Sequence, residues 1–117
     1  MKLAAIAALA AALVTGLAVS SAFAATPTLN GVVGPGFTIT LKEAGKKVSK
    51  LKAGAYVFKI ADKSSAHDFH LTGPGVNKKT TVGGTGSTTW KLTLKKGTYK
   101  YVCDPHASFM KGSFTVS

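Results

Sequence analysis

The 117-residue sequence contains no arginine, a single cysteine and only four acidic residues: Glu43, Asp62, Asp68 and Asp104. Each shortage removes a class of function. Without arginine the chain lacks the planar fork that makes most bidentate contacts to bases and phosphates, which argues against nucleic-acid recognition. Four acids argue against a two-carboxylate glycosidase or a carboxylate-bound magnesium site. One cysteine, Cys103, excludes an intramolecular disulfide and any four-cysteine zinc or iron–sulfur site. The length leaves room for one domain. The charge that is present comes from fifteen lysines, for a formal net charge of +11.

The first 24 residues read as a targeting segment. Lys2 supplies a short positive region, and Leu3 to Val19 is apolar and alanine-rich. Ala22 and Ala24 then occupy the −3 and −1 positions of a cut after Ala24, the layout of a secretory signal peptide. An uncleaved anchor is the alternative, but a span needs about 20 strongly apolar residues and alanine is weakly hydrophobic. The expectation is a signal peptide over 1–24 and one domain over 25–117, periplasmic or secreted, with no stable membrane insertion. In such a compartment thiols are oxidised. A lone cysteine there needs burial or a bound metal.

The remainder reads as all-β. Apolar residues alternate with polar ones at Phe37, Ile39 and Leu41; at Tyr56, Phe58 and Ile60; and at Trp90, Leu92 and Leu94. The same holds for Tyr99, Tyr101 and Cys103, and for Phe114 and Val116. A period of two puts each apolar set on one face of a strand. Glycine-rich turns separate the runs, among them Gly34–Pro35–Gly36 and Gly73–Pro74–Gly75. Short strands at this spacing imply a two-sheet sandwich or a barrel. Only Lys42–Lys52 has room for a short helix, and Gly45 weakens it.

One segment carries chemistry. Cys103, His106 and Met110 place a thiol, an imidazole and a thioether on one eight-residue loop, and His67 and His70 offer a second imidazole upstream. Taken singly each has a plainer reading: a buried apolar residue, a surface histidine, a gap filler. Together they make a two-histidine, one-cysteine set with a weak methionine, the donor set of a blue-copper electron-transfer site. Copper(I) prefers sulfur and copper(II) accepts imidazole. Zinc gains little from a thioether, so Met110 points to copper. The local chain is suited to gathering these donors. Cys103 ends a strand on its core face, Pro105 fixes the backbone after Asp104, and the chain can turn His106 back toward the sulfur.

The upstream ligand follows from facing. In an extended strand His67, Phe69 and Leu71 share one side, and Asp68 and His70 share the other. Phe69 and Leu71 mark the core side, so His67 is the expected ligand and His70 a surface residue.

The segments Gly97–His106, Met110–Val116 and Ala66–Phe69 resemble those of small cupredoxins of the plastocyanin, amicyanin and pseudoazurin kind. The resemblance implies a two-sheet Greek-key sandwich holding one type 1 copper ion near one end, with His67, Cys103, His106 and Met110 as ligands. Two features depart from the pattern. Asp68 stands where the family usually has asparagine, which implies loss of the side-chain amide that ties the two ligand loops, although the Asp68 N–H stays free to bond the Cys103 sulfur. The three residues between His106 and Met110 make a loop of intermediate length.

The function this implies is a monomeric electron shuttle between redox partner proteins, not an enzyme, since copper would have no open position for a substrate. A copper carrier or storage module is the runner-up, and a metal-free β-sandwich binding module the third class. The lysines read as a solvated face or as a positive surface that steers the protein to an acidic partner.

Overall fold

The computed structural model describes Gly16 and residues 25–117. The expected signal peptide, residues 1–24, lies outside the described residues apart from Gly16. Ten strands follow: β1 (Thr28–Val33), β2 (Ile39–Glu43), β3 (Lys46–Lys47), β4 (Lys50–Leu51), β5 (Gly54–Asp62), β6 (His70–Gly73), β7 (Val76–Lys79), β8 (Gly86–Leu94), β9 (Gly97–Val102) and β10 (Lys111–Val116). They form two five-stranded sheets, ordered β3-β2-β1-β5-β8 and β4-β10-β9-β6-β7. β1 runs parallel to β5 and β4 parallel to β10, while the other neighbours are antiparallel. This is the two-sheet sandwich read from the alternation. Among the described residues no helix is long and apolar enough to cross a membrane.

The alternation decides which faces meet. Tyr56, Phe58 and Ile60 on β5, Tyr99 and Tyr101 on β9, and Phe114 and Val116 on β10 all point into the core. Lys59, Lys91 and Lys100 point out. The Tyr101 ring stacks on Phe69 at 5.5 Å, and the Tyr99 ring on Phe114 at 5.2 Å. Tyr99 satisfies its buried hydroxyl at the backbone, donating to the Pro74 carbonyl at 3.1 Å and accepting from the Lys95 N–H at 2.9 Å. Such a tyrosine contributes aromatic area without a stranded polar group.

Two expectations from the sequence differ from the structure. Lys42–Lys52 forms no helix. Ala44 and Gly45, with φ of 47° and 80°, turn the chain into a tight hairpin, and β3 pairs back onto β2. Two successive positive φ values match the twist of a two-residue hairpin and break any helix. The chain then crosses to the other sheet as β4, burying Val48 and Leu51. Phe37, expected on a core face, is 65% exposed. The Gly34–Pro35–Gly36 turn, closed by a Gly34 N–H to Thr38 carbonyl bond of 2.9 Å, delays the start of β2 to Ile39. Phe37 is thereby left on the loop.

Gly112, opposite Tyr101 in the β9–β10 ladder, makes room for that ring: a Cβ there would overlap Tyr101 Cζ and its hydroxyl. The ring is buried and stacked, so it cannot easily yield. Gly112→Ala is expected to destabilise the protein by about 1–3 kcal/mol through overpacking, read as a lower denaturation midpoint. An unchanged midpoint would show that the ring moves freely.

Candidate metal centre

At one end of the sandwich two loops converge. The first follows β5 and carries His67. Asp62, itself buried, accepts the Ser64 N–H at 3.1 Å and the Thr80 hydroxyl at 3.3 Å. The His67 N–H reaches the Ser64 carbonyl at 3.3 Å, and Phe69 and Thr80 exchange bonds of 2.8 and 3.1 Å. Gly34 permits the close approach of β1 to this loop. Its φ is +73°, and a Cβ would lie 3.2 Å from His67 Cδ2 and 3.0 Å from Ser64 Cβ.

The second loop joins β9 to β10 through a single 3₁₀ turn, Asp104–His106, with Pro105 near its start. The missing N–H of proline is harmless there, and its fixed φ favours the turn. The His106 N–H donates to the Cys103 carbonyl at 3.0 Å and the Met110 N–H to the His106 carbonyl at 2.9 Å. The Cys103 N–H donates to the Met110 carbonyl at 3.0 Å, which closes the loop at its base. The three residues between His106 and Met110 are thus spanned by one tight turn, and Met110 is 1% exposed, as buried as Cys103.

The two loops bring three donor atoms together. His67 Nδ1 lies 3.1 Å from His106 Nδ1, and the Cys103 sulfur lies 3.6 and 3.5 Å from those nitrogens. Metal–nitrogen bonds of about 2.0 Å and metal–sulfur bonds of about 2.3 Å require a triangle of this size. The soft sulfur with two imidazoles fits copper. His67 is 2% exposed, while His106 is half-buried. His70, the alternative upstream histidine, stands outside this triangle and bonds Asp104 at 2.9 Å and Asn77 at 2.7 Å.

Burial pushes the Cys103 thiol up, and the backbone N–H groups of Asp68 and His106 act in the opposite sense. Without a cation the thiol keeps its proton, so binding releases one. Loss of the side-chain tie between the loops, expected from the asparagine-to-aspartate departure, does not occur. The Asp68 carboxylate accepts the Asp104 N–H at 2.6 Å and joins the two loops directly. Asp68 is also buried, although strand alternation assigns it to the outer side. β6 begins only at His70, so strict alternation does not govern residues 67–69.

Phe37 is a contributor to the site that alternation alone places in the core. Its ring meets His106 edge-on at 5.1 Å and His67 at 5.5 Å, and it lies 5.9 Å from Phe109. The signal was present in Gly34–Pro35–Gly36, a turn that puts the following residue on a loop at the same end of the sandwich.

The family described as copper binding proteins of the plastocyanin/azurin type matches residues 37–117, and the chain belongs to it. Its cofactor is copper. Among solved structures, reduced rusticyanin is similar with a TM-score of 0.53 and 22% identity, covering 80% of this chain and 82% of its own. Reduced auracyanin from Roseiflexus castenholzii is similar with a TM-score of 0.55 and 22% identity, covering 80% and 99%. At these identities the likeness shows the cupredoxin fold. No curated protein matches the chain as a relative.

Burial, with the Asp104 carboxylate beside it, pushes the Asp68 carboxyl up to about 6. Burial alone would lower His70, but its bonds to Asp104 and Asn77 and the nearby acids raise it above an ordinary histidine. Both groups bind protons more tightly folded than unfolded. Their stabilisation is full below the ordinary values of 3.8 and 6.5 and is lost as pH rises through the raised ones. Asp104, held low first by the Asp68 carboxyl, acts in the opposite sense, but only at acid pH. The metal-free protein is expected to resist denaturant better at pH 5 than at pH 8. Equal midpoints would show that neither proton is linked to folding.

Proposed function

We propose that the protein is an exported, monomeric electron shuttle whose single type 1 copper is held by His67, Cys103, His106 and Met110. The triangle of two imidazole nitrogens and one buried thiol, with edges of 3.1, 3.5 and 3.6 Å, carries this reading. Copper bound there supplies a one-electron couple. The residues hold its surroundings still: the donors already converge, and backbone bonds lock both loops, so a change of charge finds little to rearrange. With His67, Cys103 and Met110 buried, copper held by these residues would leave no position open to a substrate, which supports an electron carrier rather than an enzyme.

His106 is the ligand through which electrons would leave, because its half-buried ring sits between Phe37 and Phe109, both exposed. The buried Cys103 and His67 favour an ion that is retained over one handed on, which weighs against the carrier or storage reading. Export is supported by the signal-peptide pattern of residues 1–24, with Ala25 as the first mature residue. Two of the four acids, Asp62 and Asp68, are buried, so the exposed charge is almost entirely lysine. That favours an acidic redox partner.

Adding Cu(II) to the purified protein is expected to produce intense blue colour. Cys103→Ser and His67→Ala are expected to abolish it while circular dichroism still reports the sandwich. Met110→Leu should keep the colour and raise the reduction potential, since a weak axial donor favours Cu(II). A blue Cys103→Ser protein would overturn the ligand set, and an unchanged potential in Met110→Leu would remove Met110 from it.

Exchange with an acidic partner should slow as salt rises, because charge steering acts over a Debye length of about 10 Å at 0.1 M. A rate that ignores ionic strength would leave the lysines as solubility residues.

A further inference from the structure

His70 is explained neither by the core nor by the donor triangle. It opens β6, beside Val102 of β9, and its ring is engaged at both nitrogens. Nδ1 lies 2.9 Å from Asp104 Oδ1, and Nε2 lies 2.7 Å from Asn77 Oδ1. Nδ1 donates to the Asp104 carboxylate, which can only accept, and Nε2 bonds the Asn77 side-chain amide, so the ring is held at both ends and cannot turn without losing both bonds. Asn77 sits on β7, the strand that pairs with β6, so the anchor belongs to the sheet and not to a ligand loop.

Asp104 lies between the ligands Cys103 and His106, at the start of the 3₁₀ turn. Its N–H is taken by Asp68, the residue after His67. A continuous line of bonds therefore runs from the sheet, through Asn77 and His70, to the Asp104 carboxylate and across to the first ligand loop. A half-exposed aspartate on a surface turn would otherwise sample several rotamers, and the turn with it. Partners beyond a metal's own ligands commonly orient them in this way.

We propose that His70, braced by Asn77, is a positioning residue of the copper centre: through Asp104 it holds the Cys103–His106 turn in its metal-ready geometry. The inference rests on the copper reading, but its first consequence needs no metal. In the metal-free protein, amide exchange at Asp104 and His106 should quicken about tenfold or more in His70→Ala. His70→Asn should restore slow exchange, because the asparagine amide nitrogen stands near the place of Nδ1 and can donate to Asp104. Asn77→Ala, a change at an exposed strand position, should fall between.

With copper, His70→Ala should stay blue but lose affinity by about 10–100-fold, the usual cost of removing such a partner. It should also change the ratio of the visible bands, and His70→Asn should recover both. Wild-type exchange, affinity and spectrum in His70→Ala would overturn the proposal. So would His70→Asn behaving as His70→Ala, since that outcome assigns the ring to packing alone. If His70→Ala fails to fold, Asn77→Ala decides by the same measurements. A wild-type protein that does not turn blue would sink the copper reading and leave the exchange result to judge His70.

Discussion

The structure depends on gathering two imidazole nitrogens and a thiol sulfur at one end of the sandwich. Two imidazole nitrogens and a thiol sulfur at 3.1–3.6 Å gain little from one another. Their convergence is imposed by the scaffold: the Cys103–Met110 and His106–Met110 backbone bonds in one loop, the Asp62–Ser64–Thr80 bonds in the other, and the Asp68–Asp104 bond between them. The bonds that fix the donors are therefore made by backbone and side chains outside the donor set.

The distribution of charge follows the same division. Asp62, Asp68 and Asp104 all lie at the metal end and are used as hydrogen-bond acceptors that shape loops. Lysines occupy outward positions of the strands. Three of the four acids work at the centre, and the lysines of the strands face solvent.

Much of this was legible in the sequence because β-structure and metal chemistry both act through local pattern. The alternation at Tyr56–Ile60, Tyr99–Cys103 and Phe114–Val116 marked core faces that the sandwich uses, whereas the facing argument at His67–Phe69 has no strand beneath it, since β6 begins at His70. Local pattern failed where backbone turns intervened. Ala44–Gly45 turned a possible helix into a hairpin, and the turn at Gly34 moved Phe37 from the core onto the histidines. Asp68 looked like the loss of a tie because an amide and a carboxylate differ as donors. The bond formed needs only an acceptor, and its donor, the Asp104 N–H, lies 36 residues away.

The sequence by itself determined the all-β class, the donor types and their order along the chain, because period-two alternation and ligand softness are properties of the residues. The tertiary structure alone decided how the loops are tied and what covers the centre. The Asp68–Asp104 bond, the Asn77–His70–Asp104 line and the Phe37 ring over His67 and His106 each join segments remote in sequence. No local pattern encodes such contacts. They arise when the register of two sheets sets which loop ends meet.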